Sequence, residues 1–246
     1  MKRYDLLLLL VCFSTSGCAD AFGDDATAGA PGGGDEGDVE DDGLDHSPVE
    51  HVCAPGGAPG DPFVDCIESF DPVEATFGQN KLPGVVLGPP VGGGLKKGGM
   101  DVLALGCGGS VTLFMDAPGI VDGPGADFIV FENAFESGMI TFREPARVLV
   151  SADGVDWRSF PCDPAEEEPL GCAGVSPVLS APDNEVDPTD PAVAGGDAFD
   201  LADVGLATAR YVRLIDVGLE HFPDETWCGG LAGGFDLDAI AAVQHD

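Results

Sequence analysis

Basic residues are scarce in this chain. Its 246 residues include 10 Lys and Arg against 44 Asp and Glu, a formal net charge of −34. A field of that sign repels nucleic acid and anionic lipid and attracts cations. Nucleic acid is therefore excluded from the expected partners. Amphipathic aromatics are rare as well, with two Trp and two Tyr, so few side chains are available to stack on a sugar ring. There is no C-x-x-C pair and the four His are scattered, which argues against zinc. No G-x-S-x-G, H-E-x-x-H or P-loop occurs, and no dinucleotide fingerprint stands in a strand-turn-helix setting. The chain is accordingly read as non-catalytic. No apolar run approaches the roughly 20 residues that span a bilayer.

What the N-terminus does have is the layout of an export signal. Lys2 and Arg3 precede an apolar run from Leu6 to Phe13, and small and polar residues follow up to Thr15-Ser16-Gly17-Cys18. Gly17-Cys18 resembles a lipobox, in which the cysteine takes a diacylglycerol; Thr15 stands where leucine is usual. Cleavage after Ala19-Asp20-Ala21 is the alternative. The resemblance implies a signal peptide over 1–17, lipidation at Cys18 and anchoring to the outer membrane, displayed at the cell surface. Residues 18–52 carry eleven acids, no Lys or Arg and almost no large apolar side chain. Such a segment cannot bury enough surface to offset its ordering entropy and is read as a disordered acidic tether. The folded domain is expected over 53–246.

Six cysteines remain beyond the signal and the lipid site: Cys53, Cys66, Cys107, Cys162, Cys172 and Cys228. An even number in an exported chain indicates a disulfide framework. Six allow 15 pairings; local loop closure favours Cys53–Cys66 and Cys162–Cys172, leaving Cys107–Cys228.

From residue 53 onward, short apolar runs alternate with Gly, Pro and Asp. Strands are predicted at Asp101–Leu105, Ser110–Met115, Asp127–Glu132, Ala146–Ser151, Ala209–Asp216 and Phe235–Val243, with long loops at 78–99 and 161–198 and one short helical turn in Leu201–Ala207. Many short strands with turn signals between them imply an all-β antiparallel sandwich or barrel. Asp153-Gly154 is a hairpin signal. Trp157 is expected to pack in or beside the core. Arg210 and Arg213 are read as lying on the face opposite Tyr211 and pairing with carboxylates.

Two segments resemble a discoidin-type, galactose-binding-like jelly roll. Ala146-Arg147-Val148-Leu149-Val150-Ser151-Ala152-Asp153-Gly154-Val155-Asp156-Trp157 looks like its strand, turn and tryptophan, and Ala209-Arg210-Tyr211-Val212-Arg213-Leu214 like its later strand. Residues 77–243 also resemble a group of predicted bacterial cell-surface lipoproteins. The residues that carry this are Val86-Leu87-Gly88-Pro89-Pro90, Leu105-Gly106-Cys107-Gly108-Gly109-Ser110, Asp122-Gly123-Pro124-Gly125-Ala126-Asp127-Phe128, Phe131-Glu132-Asn133 and Gly234-Phe235-Asp236-Leu237-Asp238. These resemblances imply a jelly roll at the cell surface and name no activity.

The acids of these segments suggest a metal. Asp122, Asp127, Glu132, Asn133, Asp236 and Asp238 offer the carboxylate and amide oxygens that calcium takes in sets of six to eight, and the galactose-binding-like resemblance implies calcium near the loops. Capping of turns and solvation at the surface are the alternative uses of the same acids. The function expected is a non-catalytic surface binding or adhesion module recognising carbohydrate or another surface polymer, with Trp227 and Phe222 as stacking residues. A purely structural surface protein is one alternative. A secreted hydrolase using paired carboxylates is another.

Overall fold

A computed structural model describes residues 49–50, 60–166, 169–221, 230 and 232–243. In chain order the strands are β1 (Val49–Glu50), β2 (Cys66–Asp71), β3 (Leu103–Ala104), β4 (Ser110–Phe114), β5 (Ile120–Val121), β6 (Phe128–Phe131), β7 (Phe135–Ser137), β8 (Ile140–Phe142), β9 (Ala146–Ser151), β10 (Arg158–Ser159), β11 (Asp197–Phe199), β12 (Thr208–Ala209), β13 (Tyr211–Asp216), β14 (Asp236–Leu237) and β15 (Ala239–Ala242). Every ladder is antiparallel. Six strands form one sheet in the order β1-β2-β4-β13-β9-β10, and three form a second in the order β11-β6-β15.

The two sheets face each other, as their shared core shows. Ile67, Phe70, Val111, Leu113, Val148, Val150, Val212 and Leu214 from the large sheet meet Phe128, Val130, Phe199, Ile240 and Ala242 from the small one. This is an all-β antiparallel sandwich, one of the two architectures that the strand pattern implied. The period of two explains β13: Val212, Leu214 and Asp216 are buried while Tyr211, Arg213 and Ile215 are half-exposed. Burying each Val or Leu side chain contributes about 1.5–3 kcal/mol, so a charge at Leu214 would break the centre of the sheet. β6 reads Phe-Ile-Val-Phe without alternation because both of its faces are covered. Phe128 and Val130 enter the main core, whereas Ile129 and Phe131 join Ala239 and Ala241 beneath Val178 and Ala194 of the long loop after β10.

The strands are shorter than predicted where polar groups divert the backbone. Asp101–Leu105 contracts to β3. Ala209–Asp216 breaks at Arg210, whose amide turns to Ser151 O, and Phe235–Val243 breaks at Asp238, whose amide donates to Phe131 O at 3.0 Å. The helical turn occupies Leu201–Val204 as a 3-10 helix, capped by the Asp200 side chain and ended by Gly205 at φ 70. Val49 and Glu50, inside the expected tether, pair with Phe70 and Ser69 of β2. Residues 1–17 and Cys18 lie outside the described residues.

Cys162 and Cys172 are disulfide-bonded, 10 residues apart in sequence. Cys66 and Cys107 are also in disulfides; the partners expected for them, Cys53 and Cys228, lie outside the described residues. Two expectations for the arginines are corrected. Arg213 shares the outer face of β13 with Tyr211, because residues two apart on a strand point the same way. It stacks on Trp157, 4.1 Å from the ring centre, and donates to Thr112 Oγ1 at 2.8 Å rather than to a carboxylate. Arg210 does pair with an acid, Asp116, at 3.2 Å.

Candidate functional site

The six predicted metal residues divide between the two ends of β6. Asp127 precedes the strand and Glu132 follows it, five residues apart on an extended backbone, or about 16 Å. They do not converge.

At the Asp127 end, oxygens of Asp122, Asp127 and Asp200 lie within 4.8 Å of one another. Two of these acids already have backbone duties. Asp127 is fully buried, and its carboxylate accepts Gly123 N–H at 2.8 Å and Leu201 N–H at 2.7 Å. Asp200 accepts Ala202 N–H at 2.9 Å as the helix cap. Asp122 is exposed. Beside this cluster a cleft of about 320 Å³ opens between the residues before β2, the β4–β5 turn and the end of β15. Phe63, Met115 and Pro118 give it an apolar wall, and Asp61, Asp65, Asp116 and Asp122 put carboxylates around it. Burial, followed by the charges of Asp116 and Asp61, pushes the Asp65 carboxyl above its ordinary range, against the Asp116 amide that donates to it.

The opposite end of β6 holds a buried group of a different character. Glu132 and Asn133 leave the strand there, and the antiparallel register brings Asp238 N–H to Phe131 O. That places Asp236, on β14, beside them, and Asn133 Nδ2 donates to Asp236 Oδ2 at 3.3 Å. Glu132 is 1% exposed and Asp236 5%. Neither oxygen of Glu132 has a hydrogen-bond partner, nor have Asn133 Oδ1 and Asp236 Oδ1. Burial drives the Glu132 carboxyl well above its ordinary value, helped by the charges of Glu144 and Asp236; the backbone N–H of Asn133, nearby but outside hydrogen-bond geometry, opposes this only in part. Burial likewise raises Asp236 to about 7, with Asn133 opposing and the charge of Asp216 adding. Glu144, before β9, is raised to about 9, first by burial and then by Asp236 and Asp216.

The acids around this group are satisfied. Asp216 accepts N–H bonds from Gly108, Gly218 and Phe235 at 2.8–3.2 Å. Asp197 takes those of Gly174 and Val175 at 2.8 and 2.9 Å. Both oxygens of Asp238 accept Val91 N–H, at 2.9 and 3.0 Å, so Asp238 clamps the loop after Pro90 and does not join Asp236. Glu144, Asp197 and Asp200 read in the sequence as turn acids and Asp216 as the end of a strand, and none of the four is singled out there. The stacking candidates Trp227 and Phe222 lie outside the described residues.

No family model matches the chain, and no curated protein does. Among the described residues no helix is long and apolar enough to cross a membrane.

Proposed function

We propose that this protein is a non-catalytic binding module, displayed at the outer surface of the cell from a lipid on Cys18, that takes a polyhydroxylated ligand such as a carbohydrate. The observation that carries the reading is the cleft beside Asp122. Its wall of Phe63, Met115 and Pro118 suits the C–H face of a sugar ring, and the carboxylates of Asp61 and Asp122 on its rim suit hydroxyl donors. The cleft is built on strand ends and the β4–β5 turn, so its shape is set before ligand arrives and less ordering entropy opposes binding. The resemblance to galactose-binding-like jelly rolls supports the ligand class, and the N-terminal signal with its lipobox-like Gly17-Cys18 supports the location.

A glycan array probed with the full-length protein tests the ligand. Retention on a defined set of glycans, lost in Phe63→Ala and weakened in Asp122→Asn, is the expected result. Absence of retention on every glycan would contradict it and leave a structural surface protein as the better account. Cell fractionation tests the location: Cys18→Ala should abolish lipid labelling and leave the membrane fraction. A variant that stays membrane-bound with unchanged mobility would contradict the anchor.

A further inference from the structure

We propose that Glu132, Asn133 and Asp236 hold one calcium ion at the end of β6, remote from the ligand cleft and independent of what the cleft binds. Four oxygens on these three side chains are buried and unpartnered: both of Glu132, Oδ1 of Asn133 and Oδ1 of Asp236. Folded proteins rarely leave such atoms unsatisfied, because each costs about 1–3 kcal/mol and a charged one more. Asn133 is hydrogen-bonded to Asp236, and the Asp236 charge acts on Glu132, so the three side chains are neighbours and one shared partner can serve all four oxygens.

The donor set identifies that partner. All four atoms are oxygens, which select a hard cation over zinc or copper. The bond from Asn133 Nδ2 to Asp236 Oδ2 fixes the amide so that its oxygen is the acceptor left over. Two carboxylates match a divalent charge. Both oxygens of Glu132 are available, as bidentate coordination requires, and calcium accepts that mode where magnesium demands a tighter octahedron. Remaining positions can be taken by backbone oxygens or water. The glycine-rich loop before β3 crosses this place closely. A Cβ on Gly98 would come within 2.6 Å of Asn133 Oδ1, so a larger residue there would push the amide aside. The ion would tie the exit of β6 to β14, joining the small sheet to the strand that pairs with β3.

The alternative occupant of the same space is a proton shared between the two carboxylates, and thermal melting separates the two. Full-length protein is freed of metal with chelator and melted in chelator, in millimolar calcium and in millimolar magnesium. At about a hundredfold excess over the dissociation constant, calcium should raise the melting temperature by about 5–10 °C, and magnesium by less. Glu132→Gln should melt in chelator no lower than the wild type, since a buried charge has gone, and should lose the calcium response. Asp236→Asn provides the same test should that variant fail to fold. Asp122→Asn, at the other end of β6, should keep the full response. A wild-type melt identical in chelator and calcium would overturn the proposal in favour of the shared proton. So would a response lost in Asp122→Asn and kept in Glu132→Gln, which would move the ion to the exposed acids.

Discussion

The guanidinium of Arg213 lies 4.1 Å from the centre of the Trp157 ring, on the outer face of the large sheet. Trp157 is held there by its own Nε1–H, which donates to Gly154 O at 3.1 Å, and by an edge contact with Tyr211 at 6.4 Å. The hairpin signal at Asp153-Gly154 thus has a structural consequence. The turn delivers the tryptophan onto β13, where it shields a cation and partly desolvates it, lowering the Arg213 pKa. A double-mutant cycle of Arg213→Ala and Trp157→Ala in urea unfolding should give a coupling of about 1 kcal/mol. A coupling near zero would mean that the stack contributes only as separate surfaces.

Glu144 sets a pH dependence. Its carboxyl is raised from an ordinary value of 4.5 to about 9, so between those values the folded protein keeps a proton that the unfolded chain has released. By linkage, this group contributes stability that is full below the ordinary value and is lost as the pH rises through about 9. In chelator, the urea midpoint should therefore fall on going from acid to alkaline pH across that window. Glu144→Gln should match the wild type near the acid end and show a shallower fall. If the two proteins decline in parallel, Glu144 does not carry the dependence.

Much of the fold was legible because the large sheet is half-buried. Ala146–Ser151 was predicted to the residue, since Val148 and Val150 alternate with Arg147 and Leu149 toward opposite faces. The Phe128–Phe131 run was legible as a strand, though not its second buried face, because the covering residues Val178 and Ala194 come from a loop with no period of its own. The residues expected to bind a metal are grouped only in part by the structure. Glu132, Asn133 and Asp236 are neighbours in the structure, whereas Asp122, Asp127 and Asp238, expected in the same group, are not part of it. The rise of an extended strand, about 3.3 Å per residue, was the signal available to separate the two sets. Glu144 and Asp216 could not be found that way. Acids that accept backbone amides in the interior look, in sequence, like the many acids on the surface of so acidic a chain.

The disulfide between Cys162 and Cys172 closes a short loop beside the β9–β10 hairpin. A cross-link of this span contributes about 2–3 kcal/mol by restricting the unfolded chain. Cys162→Ser with Cys172→Ser should lower the denaturation midpoint by a corresponding amount while leaving the far-ultraviolet spectrum unchanged. Thiol counting on denatured, unreduced protein should find none of Cys53, Cys66, Cys107, Cys162, Cys172 and Cys228 reactive. Several reactive thiols would refute the framework.

The most direct measurement is calorimetric titration of chelator-treated full-length protein with calcium. The account predicts a single saturable site per chain, abolished in Glu132→Gln and unchanged in Asp122→Asn, since four unpartnered oxygens sit at the Glu132 end of β6, whereas at the other end Asp127 and Asp200 accept backbone amides and Asp122 is exposed to water. No binding heat at any temperature, together with no calcium retained on equilibrium dialysis, would contradict it. Glu132 and Asp236 would then be a buried pair held by a proton.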